Sequence, residues 1–487
     1  MTSTPKKTLT LKKKPRTTDG DSSVPRQRSG ARARQAQQMQ RLRDNTPNST
    51  TPESTPVSPA QSRPKVTAKP QRAPSGYAPA SKRPAKSSLP KRHRVEGPKI
   101  QARFTAQRDD EFTLFAPCPV GLEEALATEL QALGFAEVSQ GRAGCHFSGD
   151  WHDVLRANLY SRLATRILVQ MAFAKIQNED ELYELAYQTP WENWFGAEQT
   201  LRVDTSAIRS PFQSLQYANL RVKDAICDRL RDREGARPDI DTVRPDAKVH
   251  AFLNEDSATL YIDSSGESLF KRGWRHDKGD APLRENLASG LLALADWDPN
   301  QPLIDPFCGS GTILIEAAWI ALGAPPGIGR PFHFERLRHH DARAWQDLKA
   351  EARAHIAPEI EVPLLGSDLN PGAIAAARAN LARAHLHPDT IQFEVKNALD
   401  IQPVASKGWI ITNPPYGERL DDTDTEFWSA WASHLKRNFS GWSVNVITSD
   451  LELPSKLRLK PNRRFPLFNG PLDCRLFNFQ MVTASNR

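Results

Sequence analysis

The 487 residues carry 65 Lys/Arg against 57 Asp/Glu, a formal +8, and 39% are apolar, enough material for two or three domains with their own cores. Five scattered cysteines, none in a CxxC pair, exclude a disulfide scaffold and a zinc ribbon. No apolar run approaches the roughly 18 residues of a membrane span, so a soluble protein of the reducing cytoplasm is expected.

The charge is unevenly spread. Residues 1–100 hold 23 Lys/Arg against 5 Asp/Glu, a net +18, which leaves the rest of the chain at −10. The same stretch has 14 of the 38 prolines and a single aromatic residue, Tyr77. That composition buries too little apolar surface to offset chain entropy, so residues 1–108 are expected to form a disordered, basic, Pro-rich tail. Clusters such as Lys12-Lys13-Lys14 and Lys91-Arg92-His93-Arg94 displace counterions from phosphates, which makes nucleic acid the expected contact. A solvated extension and a targeting address are the alternatives.

From Phe112 the pattern changes. A strand is predicted over Phe112 to Ala116, a helix over Leu122 to Leu133, a short strand at Cys145 to Phe147 and a helix from Trp151 to about Thr165, together a small α+β unit over 109–165. A second unit, 166–266, follows with strands at Ile167 to Ala174, Thr200 to Thr205, Val249 to Leu253 and Ala258 to Asp263. Its helix, Gln213 to Arg231, carries Arg221, Lys223, Arg229 and Arg231 on a face read as exposed. A module that docks RNA fits this order, although a charged helix face taken alone is more often simply solvated.

After Leu283 strand, loop and helix repeat. Strands are predicted at Leu303 to Asp305, Leu364 to Asp368, Ile391 to Val395, Trp409 to Thr412, Val444 to Thr448 and Leu476 to Val482, with helices at Ile313 to Leu322 and Ala373 to Ala384. This alternation predicts an α/β, doubly wound, mostly parallel sheet over 267–487, whose ligands sit at the carboxyl ends of the strands.

Two motifs fall at such ends. Asp305-Pro306-Phe307-Cys308-Gly309-Ser310-Gly311-Thr312 opens a helix, and its glycines let backbone approach a ligand beside unpaired N–H groups. The loop lacks the lysine of an ATP-binding loop and the third glycine of a dinucleotide fold. An adenosyl cofactor without phosphates needs only the glycine turn and an acid for the ribose hydroxyls, a role that suits Asp368. The second motif is Asn413-Pro414-Pro415-Tyr416. Its prolines stiffen the turn, so that the Asn413 side-chain carbonyl and the Pro414 backbone carbonyl become fixed acceptors, and Tyr416 offers a face to a base taken out of its stack. Two acceptors on a planar exocyclic amine pull it toward tetrahedral geometry and expose its lone pair to an electrophilic methyl group.

DPFCGSGT, SDLN and NPPYGERL, in this order, resemble the class I S-adenosylmethionine-dependent methyltransferases that modify base amines. Over residues 111–485 the chain more narrowly resembles the THUMP-domain RNA methyltransferases, closest to the bacterial 23S rRNA guanine-N2-methyltransferases; Gly121 to Glu124, Ser268 to Arg275, Ala281 to Ala288 and Asn469 to Cys474 narrow the match. The resemblance implies a ferredoxin-like unit, a THUMP RNA-binding domain and a Rossmann-like methyltransferase domain. It further implies S-adenosyl-L-methionine held by Asp305, Phe307, Gly309, Gly311, Thr312, Asp368, Pro282, Asn286 and Asn397, catalysis at Asn413, Pro414, Pro415 and Tyr416, no metal, and 23S rRNA or a large-subunit precursor as partner. Asn397 stands where the family has an acid facing the adenine, and the basic tail is outside the family pattern. Ending at Arg487 with one such domain, the chain is expected to install one modification where two-domain relatives install two. The Arg- and His-rich segment 327–357 is read as a substrate entrance or an exposed helical insertion. An adenine-N6 DNA methylase and a non-catalytic RNA-binding assembly factor remain the rival readings.

Overall fold

The computed structural model describes residues 97–105, 110–276, 283–338, 340–415 and 424–482. The expected disorder of residues 1–96 lies outside the described residues. The end of the supposed tail is ordered: β1 (Ala102–Phe104) pairs antiparallel with β5 (Leu168–Lys175), opposite Phe173, so the expectation of disorder to residue 108 is corrected there.

The strands β2 (Phe112–Pro117), β3 (Ala136–Gly141), β4 (Gly144–Gly149), β6 (Thr200–Ala207), β7 (Asp239–Ile240), β8 (Ala247–Leu253) and β9 (Ser257–Asp263) join β5 in one sheet of order β3-β4-β2-β5-β9-β8-β6-β7. The ferredoxin-like and THUMP segments thus share a sheet, with the seam at Leu114 and Phe115 against Val169 and Leu168. Alternation builds β2, where Phe112, Leu114 and Ala116 are buried and Thr113 is exposed. Helices α1 (Glu123–Ala132), α2 (Trp151–Tyr160), α3 (Glu179–Gln188) and α4 (Leu215–Glu234) cover it.

Helix α2 stops five residues short of its predicted end for a definite reason. The buried Glu129 carboxylate accepts the Ser161 hydroxyl at 2.6 Å and the backbone N–H groups of Arg162 and Leu163 at 3.0 and 3.4 Å, which draws the chain out of helical geometry. The basic face read on α4 is also corrected. Arg229 is buried and forks onto Glu192 at 2.6 and 2.7 Å, Arg231 pairs with Asp228 and Asp232, and Arg221 lies over the Tyr183 ring while pairing with Asp180. These cations are spent on neighbouring carboxylates and do not present a free basic stripe.

The catalytic sheet comprises β10 (Leu303–Asp305), β11 (Leu364–Asp368), β12 (Gln392–Val395), β13 (Trp409–Thr412), β14 (Ser443–Thr448), β15 (Arg463–Asn469) and β16 (Leu472–Gln480), in the order β12-β11-β10-β13-β14-β16-β15. The first five run parallel, and β16 enters antiparallel to both of its neighbours. This is the doubly wound α/β sheet that the alternation predicted. Helices α5 (Glu285–Leu294), α6 (Thr312–Ala321), α7 (Ala342–Ala354), α8 (Pro371–Arg383), α9 (Asp424–Asn438) and α10 (Leu453–Leu457) accompany it. No helix among the described residues is long and apolar enough to cross a membrane.

Arg272 ties the two halves together. Its fully buried guanidinium meets Glu316 of α6 at 3.3 Å and donates to the carbonyls of Leu269 and Arg162 at 2.8 and 2.7 Å. Ser289 of α5 donates to the same Glu316 carboxylate.

Candidate active site

The chain leaves β10 toward β11 and β12, then returns to the other side of β10 as β13. The order therefore reverses between β10 and β13, and their carboxyl ends part to leave the crevice in which open α/β sheets bind ligands. Asp305 ends β10 and Thr412 ends β13, and the Thr412 hydroxyl donates to Asp305 Oδ1 at 2.6 Å across this crevice. Phe307 N donates to the same oxygen at 3.2 Å. Asp305 is fully buried, and burial pushes its carboxyl up to about 7 against the pull of those two bonds, with nearby Asp368 adding to the rise.

The glycine loop crosses the top. Gly309 and Gly311 have φ of +52° and +80°, and a Cβ on Gly311 would come within 2.9 Å of the Phe393 ring, so only glycine fits this turn at the start of α6. Asp368, at the end of β11, fastens the loop. Its Oδ2 accepts Gly309 N at 3.1 Å and its Oδ1 accepts Asn370 N at 2.8 Å. Thr312 is buried at the first position of α6, with Arg275 Nη1 3.5 Å from its hydroxyl; Arg275 also pairs with the buried Glu285 at 3.1 Å. Burial raises Glu285 to about 7, with Arg275 opposing. Phe307 rests on Phe427, Trp428 and Trp431 at centroid distances of 6.1, 6.2 and 5.7 Å, an aromatic wall behind the loop.

Asn413 follows β13 directly. Its side-chain oxygen is buried and has no hydrogen-bond partner among the described residues, while Pro414 is buried and Pro415 exposed. Tyr416 and Pro282 lie outside the described residues.

Asp305, Phe307, Gly309, Gly311, Thr312, Asp368 and Asn413 thus gather at the carboxyl ends of three adjacent strands. Asn286 does not join them: it has no exposed surface, and its amide points at Leu163 O and Thr165 Oγ1 at 3.3 and 3.4 Å. Its place in α5 lets its amide nitrogen anchor the N-terminal half, while its side-chain oxygen has no partner among the described residues, so the cofactor role implied by resemblance stands as a proposal for that oxygen. Asn397 sits just beyond β12, two strands from β10, and its Oδ1 accepts Leu399 N at 2.9 Å to close a turn. One lone pair of the acceptor proposed for adenine is therefore engaged locally. Segment 327–357 divides in two, with 327–338 docked on the THUMP half and α7 forming an amphipathic helix that buries Trp345, Leu348 and Ala352. Sequence reasoning missed Thr412, although its hydroxyl stands beside the motif, because its partner is revealed only by strand order.

Three family models match the chain in sequence: a RlmL ferredoxin-like domain over residues 113–168, a THUMP domain over 177–263 and an RMKL-like methyltransferase domain over 272–478. The ribosomal RNA large subunit methyltransferase K/L of Syntrophotalea carbinolica is 41% identical over 388 residues, which cover 77% of this chain and 54% of that protein. The chain spans about half the length of the curated relatives it matches. A crystal structure of a possible methylase from Clostridium difficile 630 aligns with a TM-score of 0.71 and 30% identity over 78% of this chain and all of the other. That of SMU.472, complexed with SAH, aligns with 0.71 and 28% over 77% and 99%. Fold and crevice are those of a Rossmann-like class I methyltransferase preceded by ferredoxin-like and THUMP segments. The chain belongs to the THUMP-domain methyltransferases with an RMKL-like catalytic domain.

Proposed function

We propose that this protein transfers a methyl group from S-adenosyl-L-methionine to an exocyclic amine of RNA, with guanine N2 of 23S rRNA, free or in a large-subunit precursor, as the target. The observation that carries the reading is the Asn413 oxygen, buried in a turn stiffened by two prolines and without a hydrogen-bond partner among the described residues, an acceptor open to an incoming donor. Two carboxyls, Asp305 and Asp368, stand at adjacent strand ends beside it. They disfavour phosphates and suit a cofactor bearing sulfonium and ammonium charges, while the N-terminus of α6 suits its carboxylate. SMU.472 binds SAH in a related fold, and ribosomal RNA is the substrate named for relatives such as the large subunit methyltransferase K/L of Syntrophotalea carbinolica.

When bound, the cofactor supplies an electrophilic methyl group on a sulfonium. The chain's own work is orientation. The Gly309–Gly311 turn and Asp368 hold the cofactor end of the crevice, and Asn413 Oδ1 and the Pro414 carbonyl accept the two amine hydrogens so that the nitrogen lone pair faces the methyl. As the N–C bond replaces the methyl–sulfur bond, whose electron pair stays on sulfur, one amine proton would be released toward these acceptors and the solvent beyond. The ferredoxin-like and THUMP segments, divided from the catalytic domain at about 166 and 267, dock the RNA, and the net +18 of residues 1–100 adds phosphate contacts without reading sequence. The cytoplasm is the compartment that goes with an rRNA substrate.

The test is methyl transfer from labelled cofactor to unmodified large-subunit rRNA, with duplex DNA as control and nucleoside mass spectrometry of the product. N2-methylguanosine in the RNA is expected. N6-methyladenine in the DNA overturns the RNA reading, and RNA binding without transfer makes the protein an assembly factor.

A further inference from the structure

Between α6, which starts at the glycine loop, and β11, which ends in Asp368, the chain leaves the catalytic sheet and reaches the THUMP half through residues 327–338. This segment is stiff at its base, where Phe332 and Phe334 stack on each other and both meet the Trp345 ring edge-on, at 5.6 and 5.0 Å. At its tip Arg338 is held through all three guanidinium nitrogens and its backbone N–H. Its Nε and Nη2 fork onto Glu198 at 3.0 and 2.8 Å, its Nη1 donates to Glu192 O at 2.8 Å, its guanidinium also pairs with Glu234, and its backbone N–H donates to Trp194 O at 2.8 Å. The guanidinium lies so close to Gly196 that a Cβ there would fall 1.7 Å from Nη2.

Glue between domains needs only apolar contact. A planar cation forked between two carboxylates and a carbonyl, and packed against the Cβ-free face of Gly196, favours one geometry over the others. We infer that segment 327–338 sets the spacing between the THUMP half and the methyl-transfer crevice, and that Arg338 is the positioning residue of this spacer. The inference rests on the proposed RNA methyltransferase function and goes beyond it. An RNA gripped by the THUMP half delivers its target base to Asn413 only if the two are held at the right separation, whereas a fragment too small to reach the THUMP half is indifferent to that spacing.

The test compares kcat/KM for unmodified large-subunit rRNA with kcat/KM for a stem-loop cut from it around the modified nucleotide. The ratio of the two is independent of the fraction of enzyme that is folded. Arg338→Ala, and Gly196→Ala on the opposite wall, are each expected to lower this ratio about tenfold or more, since small displacements of a reacting group are costly. Arg338→Lys, which keeps the charge and loses the fork, should fall between them and the wild type. Cofactor affinity and stoichiometry by calorimetry should stay at wild-type values in all three. A ratio unchanged in both alanine variants overturns the inference while leaving the methyltransferase reading intact. A wild-type chain inert on both RNAs overturns that reading and this inference with it.

Discussion

Replacing Asn413 by alanine should move activity and stability in opposite directions. The Asn413 oxygen is buried without a partner among the described residues, a desolvated acceptor that costs about 1–3 kcal/mol. Alanine removes that cost and forfeits some packing of a short, half-buried side chain, so the net is between no change and a gain of about 2 kcal/mol, or several degrees of melting temperature in a domain of this size. Turnover should nevertheless fall roughly 100-fold or more, the scale on which one fixed hydrogen-bonding group acts in a transition state. Cofactor affinity should hold, because the bonds of Asp368 to Gly309 and Asn370 do not involve Asn413. Thermal melts, calorimetry with the cofactor and single-turnover methylation read the three quantities separately. Full turnover in Asn413→Ala refutes the mechanism, and lost turnover accompanied by a lowered melting temperature refutes the view that this oxygen is held in reserve for the substrate.

Three other perturbations test the frame around that residue. The Asp305 carboxyl sits at about 7 when folded and at the ordinary 3.8 when unfolded, so the folded chain holds the proton more tightly; this stability is complete below about pH 4 and is lost as pH rises to about 7, by up to about 4 kcal/mol. Asp305→Asn should flatten that part of the slope in urea titrations between about pH 4 and 7 and weaken cofactor binding, and an unchanged slope would mean that the acid is solvated. Arg272→Met strands the buried Glu316 carboxylate and should cost about 3–5 kcal/mol by chemical denaturation, most of it recovered when Glu316→Leu is added; an additive double variant would show the pair to be uncoupled. Deleting residues 1–100 removes 23 basic side chains and should flatten the dependence of RNA affinity on salt while cofactor affinity stays put, and equal slopes with and without the segment would exclude it as an RNA arm.

The parallel strands were legible because strands buried on both faces read as short apolar runs closed by a polar residue, and Leu364–Asp368 and Trp409–Thr412 match their predicted bounds residue for residue. Strand order was not legible, since nothing local says which side of β10 receives β13, and with it went the Thr412–Asp305 bond that spans the crevice. Helix α3 was missed because Glu-Asp-Glu-Leu-Tyr-Glu reads as a charged loop; it is started by Asn178, whose side chain accepts the N–H groups of Asp180 and Glu181. Strand β15 was missed because Pro466 interrupts it, which an edge strand tolerates. The basic face of α4 misled for a related reason. A sequence shows the four cations but not the partners, Glu192 and Asp180, which lie on other elements.

The residues that make the site are also those that weaken the free chain. Asp305 is buried where its charge is unwelcome, the Asn413 oxygen has no partner among the described residues, and Gly309 and Gly311 hold left-handed backbone where an ordinary residue would strain. None of these features helps the chain fold. Each becomes favourable once a cation stands beside the carboxyls, an amine faces the acceptor and a ligand lies against the bare backbone. Stability is supplied elsewhere, by the shared sheet of the N-terminal half and by the Arg272–Glu316 contact beneath α6, so the crevice can keep its unmet demands without opening. The same division explains why the contacts between the halves are dense with charge-assisted bonds while the crevice is not: the former hold the halves in place, and the latter keeps polar groups open for the substrate of the proposed reaction.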